Sequence, residues 1–480
     1  MTARTTLVLN DREITTSKSA GTLVLDFLRR DRKLVGTKEG CKEGDCGACV
    51  VLVGQLRDRR VEYEPVTSCL MPVAELHGKH LVTVEGLNSE TLTPVQEAIV
   101  EEGGSQCGFC TPGIVMSLTG FLLQSDWRLD DDGLKYALGG NLCRCTGYAS
   151  LKRAGAKIRK DVYMGEKSNG ASSDPLQMLI AKKVVPDYFR SIPERLAAIA
   201  TPIPESGTRN SEYTIAGGTD IYVQRGAHLP DAKVQVLNLR PELKGIAVKD
   251  GKVHMGALTT FEEFAYQQDI RTAIPNIRKY MLLNASWQIR NRATIGGNIV
   301  NASPIGDLTA LLLALESDLL LQDGDRQRVV PMKKFFQGYK KLAKTDSEIL
   351  AKVVFPLPVA GTQINFEKVS KRRTLDIASV NSAVKVRIPD GLIEDVQLSM
   401  GGVAPTPFFM HKTCAFLRGQ PVSPKTILAA AAIADSEIAP IDDIRGSAAY
   451  KRLLVRQFLI AHFSKLFPDQ ISVRTCYETY

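Results

Sequence analysis

Eight of the ten cysteines lie before residue 150, in two groups that differ in spacing. In the first group, three cysteines are separated by four and then two residues, and nineteen residues separate the third from a fourth. The group consists of Cys41, Cys46, Cys49 and Cys69. A C-x4-C-x2-C…C spacing is typical of a plant-type [2Fe–2S] cluster, in which each of two irons takes two thiolates. The first group therefore predicts an iron–sulfur cluster.

Glycines are interspersed with these cysteines in the stretch EGCKEGDCGACVV. Gly40, Gly44 and Gly47 allow the loop to wrap a cluster and to direct backbone N–H groups at its sulfurs. A structural zinc site is the alternative, but such sites usually pair two C-x2-4-C knuckles. The triplet spacing and the glycines favour iron–sulfur over zinc.

The second group has a C-x2-C…C-x-C spacing and consists of Cys107, Cys110, Cys143 and Cys145. Thr111 and Pro112 are typical of a helix start, and the stretch YASLKRAGAKIRKDV after the last cysteine also has a helical pattern. Two cysteine pairs at helix starts would converge at one end of a small bundle, where helix dipoles favour an anionic cluster. The spacing by itself also fits zinc, although C-x-C is awkward for a zinc knuckle. Both metals stay open at this point.

Local hydrophobic patterns predict the elements that carry these cysteines. The stretches TLVLN and CVVLV have the apolar, β-branched character of strands, and VLDFLRRDRK has that of a short helix. Together they predict a ferredoxin-like module that ends near residue 85. In the second region, Ile114, Leu118, Phe121 and Leu122 form an apolar stripe at helical spacing.

Composition limits the class of protein. At 480 residues the chain is expected to form roughly two to four domains. It is 44% hydrophobic and 24% charged, as soluble globular proteins are. Its net charge is +9, but aromatic content is only 6% and no nucleic-acid-binding signature is present, so we expect no nucleic-acid partner. G-x-S-x-G and Walker A sequences are also absent, which argues against hydrolase and ATPase chemistry.

The sequence also predicts a cytoplasmic protein without a membrane partner. The first residues, MTARTTLVLNDREITT, lack the apolar region of a secretory signal. The longest apolar stretch, LTALLLALESDLLL, contains Glu316 and Asp318 and is too short to span a bilayer. Disulfides are rare in a reducing compartment, which favours metal for the clustered cysteines. Cys414 and Cys476 have no partners at ligand spacing and are expected to be inert.

Two glycine-rich stretches follow a polar segment at residues 165–184. EYTIAGGTDIYVQRG has a strand pattern before a Gly-Gly turn, and IRNRATIGGNIVNASPIGDL, at residues 289–308, is dense in small and polar residues. Such a turn after a strand binds phosphate through backbone N–H groups, although most isolated Gly-Gly pairs are ordinary turns. The G-x-G-x-x-G fingerprint is absent, so a Rossmann site is not expected. Two such loops in one domain favour nucleotide binding.

The motifs GCKEGDCGACVV, QCGFCTPG and NLCRCTGY, in that order, resemble the iron–sulfur half of the xanthine oxidase family of molybdenum hydroxylases. The resemblance covers nearly the whole chain and implies a multidomain α+β fold. The implied parts are a β-grasp, ferredoxin-like [2Fe–2S] domain (1–85), a four-helix-bundle [2Fe–2S] domain (86–164), a linker (165–184), an α+β FAD-binding domain of the vanillyl-alcohol-oxidase type (185–360) and an α/β C-terminal subdomain (361–480).

AGGTD and ATIGGNIVNASPIGD are similar to the FAD-binding segments of the same family. The resemblance implies that the first segment wraps the pyrophosphate and that the second contacts the remaining diphosphate, ribitol or ribose. The implied contacts are Ile215, Ala216, Gly217, Gly218, Thr219 and Asp220 in the first segment, and Thr294, Gly297, Asn298, Ser303 and Asp307 in the second.

Two further segments resemble parts of the same flavin domain. In FFQGYKKLAKTDSEIL, the resemblance places Tyr339 beside the site of the nicotinamide nucleotide and Leu350 near the flavin ring. In FEKVSKRRTLDIASVN it places Lys368 near FAD. For Tyr339 and Lys368, ordinary surface placement is the alternative. One departure concerns the flavin's outer face: several family members carry an aromatic residue about ten positions before ATIGGN, where this chain has Asn284, with Trp287 close by.

The resemblance implies an electron-transfer chain that serves a molybdopterin-binding large subunit, in a dimer of heterodimers. Electrons from oxidation of hypoxanthine or xanthine would pass from molybdenum to the second cluster, the first cluster, FAD and then NAD, although spacing leaves oxygen open as acceptor. The same arm would serve an aldehyde or N-heterocycle dehydrogenase. A diaphorase without a molybdenum partner and a colourless zinc scaffold are the remaining alternatives.

Overall fold

The computed structural model describes residues 4–124, 131–163, 175–199, 211–372 and 374–478. The chain divides into two compact units. The first unit consists of Met1–Arg240 and Ser286–Ala293, and the second of Pro241–Ala285 and Thr294–Tyr480. Within the described ranges, no helix combines the length and the apolar character that crossing a membrane requires.

The first unit begins with a mixed five-stranded sheet. In the order in which they lie side by side, its strands are Arg12–Thr16, Thr5–Leu9, His80–Val82, Val50–Arg57 and Arg60–Thr67. Only the pairing of Thr5–Leu9 with His80–Val82 is parallel. A helical segment, Val24–Asp26 continued by a π-helical turn at Phe27–Asp31, buries Val24, Phe27 and Leu28 against the sheet core. The predicted ferredoxin-like domain is confirmed.

Four helices follow, at Pro94–Glu101, Thr111–Leu122, Asp131–Leu138 and Ala149–Tyr163. The first begins with a capping box, in which Thr93 accepts from the backbone N–H of Gln96 and Gln96 accepts from that of Thr93. In the second, all residues from Gly113 to Leu122 are buried. The sequence predicts one apolar stripe on this helix, but the helix is enclosed on all sides because Ser117, Thr119 and the two glycines are small enough to pack as well.

The predicted linker at 165–184 differs from the structure over its second half. Residues 164–174 lie outside the described ranges, whereas Pro175–Ala181 is a helix. Leu179 and Ile180 are buried in the core of the helical domain. This segment folds as a helix and packs in the core because PLQMLIA has apolar residues at helical spacing, which a purely polar linker would lack. A second short helix, Ile192–Ala198, packs beside Val8 of the sheet.

The rest of the first unit contains a strand that is followed by a turn and a short helix. Strands Tyr213–Ile215 and Val234–Val236 pair in parallel, and helix Ile221–Arg225 lies between them in sequence. The short helix Trp287–Arg290 also belongs to this unit. Trp287 packs edge-on against Phe121 in the helical core, with ring centroids 6.0 Å apart.

The second unit contains two antiparallel sheets. The first has strands Arg326–Pro331, Asp318–Asp323, Ile349–Pro356, Lys252–Gly256 and Ile246–Lys249, side by side in this order. Its helices are Phe261–Tyr266, Gln268–Ala273, Ile277–Leu282, Ile295–Asn301 and Asp307–Ala314. A short ribbon joins Phe336–Gly338 and Lys341–Leu342.

The second sheet of this unit forms the C-terminal subdomain. Its strands are Thr362–Val369, Val380–Arg387, Asp395–Gly401 and Phe408–Phe409. The helices that follow are His411–Leu417, Pro424–Glu437, Ala448–Leu466 and Val473–Glu478. The prediction was an α/β subdomain; because the strands are all antiparallel and precede the helices, the arrangement is α+β in the strict sense.

Candidate functional site

The four cysteines of the first group come together as two pairs. Thiol hydrogen bonds link Cys41 to Cys46 and Cys49 to Cys69. The Cys46 thiol, together with a backbone N–H of Glu43 at 3.3 Å, lowers the pKa of the Cys41 thiol to about 4. The Cys69 thiol likewise lowers the pKa of Cys49. In each pair, one thiol thus has a pKa below its ordinary value, which favours the thiolate, the form that binds metal.

Glycine is required at Gly47 of this loop. Its φ of +67° lies in the left-handed region, and a Cβ there would be 2.2 Å from the carbonyl oxygen of Gly140. Any side chain would therefore both strain the backbone and push the two cysteine-bearing segments apart. The expectation that bare backbone shapes this loop agrees with its geometry.

The second group also forms two pairs. The sulfurs of Cys107 and Cys145 are 3.7 Å apart, and a thiol hydrogen bond links Cys110 to Cys143. Burial, followed by the bond to Cys143, raises the pKa of Cys110 to about 12. Thr146 Oγ1 lies 3.1 Å from the sulfur of Cys143 and is among the groups that outweigh burial and lower the pKa of that thiol.

The pairing fits a two-iron cluster at each site. A [2Fe–2S] cluster needs two thiolates on each of two irons, and each site supplies two thiol pairs. Across the described residues, no three His, Cys, Asp or Glu side chains surround a point where one lone ion would sit. The two thiol pairs at each site fit the donor set of a binuclear cluster.

The two cysteine sites are neighbours in the first unit. Asn141 Nδ2 donates to the carbonyl oxygen of Gly47 at 3.2 Å, and the backbone N–H of Leu142 donates to that of Cys46 at 2.9 Å. A Cβ at Gly113, in the helix that follows Cys110, would lie 2.1 Å from the Gly47 carbonyl oxygen. The loops of the two sites thus touch through backbone.

The turn after strand Tyr213–Ile215 has free donors. The backbone N–H groups of Gly217, Gly218 and Thr219 donate to no acceptor in the part of the chain that the structure describes. Gly217 and Gly218 are buried, and Gly218 has a φ of +80°. Buried N–H groups almost always have partners, and successive free ones form a concave anion site. These residues fit the diphosphate of FAD, as the resemblance implies.

In the second unit, Asp307 and Lys368 form a buried ion pair. Lys368 Nζ lies 2.7 Å from Asp307 Oδ2 and also donates to the Leu283 carbonyl oxygen. Asn381 Nδ2 donates to the other carboxylate oxygen at 2.7 Å. Burial raises the pKa of Asp307 despite the cation beside it. The side chain of Lys368 is only 3% exposed, so it does not have the surface placement that was the alternative.

Four other predicted flavin residues of this unit lie on or beside helix Ile295–Asn301, namely Thr294, Gly297, Asn298 and Ser303. Thr294 Oγ1 accepts from the N–H of Gly297, and Asn298 Oδ1 accepts from the Thr309 hydroxyl. Ser303 Oγ accepts from the N–H of Ile305 at 3.4 Å. The remaining predicted positions are Leu350, buried in a strand of the first sheet, and Tyr339, 64% exposed after strand Phe336–Gly338.

Sequence reasoning missed Asn381, which orients Asp307. It lies in a strand 74 residues away, and no local pattern distinguishes it from other strand residues. Asn284, singled out as a departure from the family pattern, has a buried Nδ2 without a partner among the described residues.

Four family models match consecutive parts of the chain. They are a 2Fe-2S iron-sulfur cluster binding domain at residues 7–74, a [2Fe-2S] binding domain at 83–156, an FAD binding domain in molybdopterin dehydrogenase at 192–358 and a CO dehydrogenase flavoprotein C-terminal domain at 366–466.

Individual relatives agree with these matches. Xanthine dehydrogenase 1 of Arabidopsis thaliana is 29% identical over 95% of this chain and 39% of its own length. The xanthine dehydrogenase/oxidase of Mus musculus is 33% identical over 80% of this chain and 33% of its own length. The chain thus spans 39% and 33%, respectively, of the length of these two relatives. A solved structure of reconstituted CO dehydrogenase from Oligotropha carboxidovorans matches 52% of this chain and 89% of that chain, with 27% identity and a TM-score of 0.50.

The matched domains account for both cysteine sites and for the two glycine-rich segments. The chain is therefore a [2Fe–2S] and FAD electron-transfer module that belongs to the molybdenum hydroxylase family.

Proposed function

We propose that this chain is the electron-transfer subunit of a xanthine dehydrogenase, and that a separate large subunit binds molybdopterin. The assembled enzyme would oxidise hypoxanthine and xanthine to urate and deliver the electrons to NAD. When bound, the two [2Fe–2S] clusters supply single-electron transfer, and FAD supplies exchange of electron pairs with NAD. The relatives named xanthine dehydrogenase, at 29% and 33% identity, support the purine substrate.

The observation that carries the proposal is the direct contact between the two four-cysteine sites. Leu142, next to Cys143 of the second group, donates its N–H to the carbonyl of Cys46 in the first group at 2.9 Å. A zinc scaffold would have no need to hold two such sites in backbone contact. Each group of four cysteines is accordingly assigned to one [2Fe–2S] cluster. The domain bounds stay a proposal, with the linker shortened so that it excludes helix Pro175–Ala181.

The two cysteine sites differ in how far their thiols are exposed to solvent. Cys107 and Cys145 of the second group are exposed, whereas Cys49 and Cys69 of the first group are buried. Two large apolar side chains beside the second group also face solvent, Phe109 at 48% and Leu142 at 62% exposure. Exposed apolar residues around a redox site are typical of a docking surface for a protein partner. We therefore assign this face to the molybdopterin-binding subunit, in a dimer of heterodimers.

The flavin-domain residues complete the assignment. The free N–H groups at Gly217–Thr219 support diphosphate binding, and the Asp307–Lys368 pair gives the second glycine-rich segment a rigid polar anchor. Tyr339 is exposed, as a residue that borders a nucleotide-sized ligand must be. We assign it to the NAD site.

The same role in an aldehyde or N-heterocycle dehydrogenase is the second candidate. It is favoured by the likeness to the structure of a CO dehydrogenase, an enzyme named for a substrate that is not a purine. The substrate is bound by the partner, so this chain alone serves either candidate.

The test is copurification followed by a substrate screen. The chain, isolated from its natural host, should carry about four irons and one flavin, give two distinct EPR signals on reduction, and bring a molybdenum-containing chain with it. The complex should reduce NAD with hypoxanthine or xanthine. Turnover of aldehydes or N-heterocycles instead would shift the assignment to the second candidate. A chain with iron and flavin but no molybdenum partner would leave only a free-standing diaphorase, and a colourless zinc protein would contradict the proposal.

A further inference from the structure

Arg292 forms a buried ion pair with Glu75 of the ferredoxin-like domain. Arg292 is 4% exposed and Glu75 is 1% exposed. The two guanidinium Nη atoms contact the two carboxylate oxygens at 3.1 and 3.0 Å, in a bidentate arrangement. Asn238 Nδ2 donates to the same carboxylate at 2.9 Å. Asn238 thus holds the Glu75 carboxylate, and the carboxylate fixes the position of the guanidinium.

The guanidinium also reaches the Gly-Gly turn. Arg292 Nη2 donates to the carbonyl oxygen of Gly217 at 2.6 Å. In a planar trans peptide, the carbonyl of one residue and the N–H of the next point in opposite directions. Because the Gly217 carbonyl points at Arg292, the N–H of Gly218 points away from it, and this N–H is one of the three that have no acceptor among the described residues.

A second contact holds the turn in the same place. A Cβ at Gly218 would lie 2.5 Å from the carbonyl oxygen of Leu70, the residue after Cys69. The turn therefore rests on the segment that carries a proposed cluster ligand, while Arg292 and Glu75 set the rotation of its first peptide.

Stability alone does not account for this arrangement. Replacing a buried ion pair by apolar residues of similar volume is often neutral or stabilising, so the pair is weak support for a purely structural role. Arg292 Nε is moreover buried without a partner, which is a cost. What an apolar pair would lack is the donor to the Gly217 carbonyl.

We propose that Arg292, held by Glu75, is a positioning residue for FAD, because it turns the Gly217–Gly218 peptide so that its N–H faces the diphosphate. This inference rests on the proposed assignment of residues 215–220 to FAD. Arg292 touches neither FAD nor substrate in this role. It acts through the peptide, and it joins the flavin turn to the ferredoxin-like domain.

The test measures FAD affinity of the full-length chain after flavin removal, with intact clusters. Arg292→Gln should raise the Kd for FAD by roughly 10-fold or more, because a hydrogen bond from a charged donor is lost. Arg292→Lys, which keeps a cation with fewer donors, should recover part of the affinity. The matched control is Arg290→Lys, which changes another buried arginine two residues earlier, at the last position of helix Trp287–Arg290. It should leave the Kd unchanged.

Two further readouts separate positioning from misfolding. The ³¹P resonances of bound FAD should shift in Arg292→Lys but not in Arg290→Lys, while iron content stays at the wild-type level. If Arg292→Gln does not fold, the double variant Glu75→Gln/Arg292→Met, which leaves no unpaired charge, should fold and show the same weakened FAD binding. A Kd within twofold of wild type in the folded variants would overturn the inference. Failure of the wild-type chain to bind FAD would instead contradict the FAD assignment itself.

Discussion

The backbone N–H of Leu142 donates a 2.9 Å hydrogen bond to the carbonyl oxygen of Cys46. Each residue belongs to a different cysteine group, since Leu142 precedes Cys143 and Cys46 is itself a proposed ligand. The bond therefore links the two proposed clusters through a short run of covalent and hydrogen bonds. The side-chain Nδ2 of Asn141 adds a second bond to the same loop, so one backbone and one side-chain hydrogen bond hold the two sites together.

This contact predicts that Gly113→Ala destabilises the chain, although alanine is the better helix former by about 1 kcal/mol. The new Cβ would lie 2.1 Å from the Gly47 carbonyl oxygen, and backbone cannot rotate away as a side chain can. Overpacking of this kind costs about 1–3 kcal/mol. Chemical denaturation should show the loss, and the EPR signals of both clusters should broaden or shift.

Gly155→Ala is the matched control for Gly113→Ala. It also lies in a helix, but its nearest neighbours are the methyl groups of Leu134, which can move. The control should be within about 1 kcal/mol of wild type. Equal stability of the two variants would mean that the two loops are not in contact in solution.

A second prediction concerns the Gly-Gly turn. Gly218→Ala combines a φ of +80° with a Cβ 2.5 Å from the Leu70 carbonyl oxygen. The turn must shift, so we expect loss of most bound flavin, measured as the flavin-to-iron ratio. Gly245→Ala is the control for Gly218→Ala. Gly245 has a φ of +88° and no atom within 4 Å of the added Cβ, so this variant adds backbone strain without a collision. Retention of flavin by Gly218→Ala would argue against a phosphate site at this turn.

A third prediction tests the cysteine assignment by counting iron. Cys69 and Cys414 are both 1% exposed, and both sit among apolar side chains. Cys69→Ala should lower the iron content from about four to about two per chain and remove one EPR signal, because a [2Fe–2S] cluster needs all four thiolates. Cys414→Ala should keep both clusters. Iron loss in the Cys414 variant would mean that the spacing misidentified the ligands.

Sequence patterns predicted local features well and long-range ones poorly. Cysteine spacing grouped thiols that the structure also brings together, because three of the four proposed ligands in the first group lie on one short loop. The same patterns gave no sign that Arg292 meets Glu75, 217 residues away, or that Asn381 meets Asp307. Such pairs are set by how separate elements pack. Trp287 shows the same limit, since it packs in the core of the helical domain, far in sequence from its neighbours Phe121 and Tyr136.

The last prediction concerns pH and two buried histidines, one in each unit. His80 Nδ1 lies 2.8 Å from the Tyr63 hydroxyl, and its Nε2 lies 2.9 Å from the Asn10 carbonyl oxygen. His462 lies 2.8 Å from both Asn365 Nδ2 and Ser382 Oγ. Burial lowers the pKa of each histidine to about 3, and Arg195 and Lys465, respectively, contribute in the same direction.

Both rings are therefore neutral when folded, and each takes up a proton on unfolding below its ordinary pKa of 6.5. Their stabilisation is complete above 6.5 and falls as the pH drops from there towards 3. Between about pH 7 and about pH 5.5, each histidine should remove about 1 kcal/mol from the free energy of unfolding. Denaturation of wild type, His80→Gln and His462→Gln at both pH values measures this, and each variant should lose about 1 kcal/mol less than wild type. An equal loss in all three would mean that these rings are already charged or solvated in the folded protein.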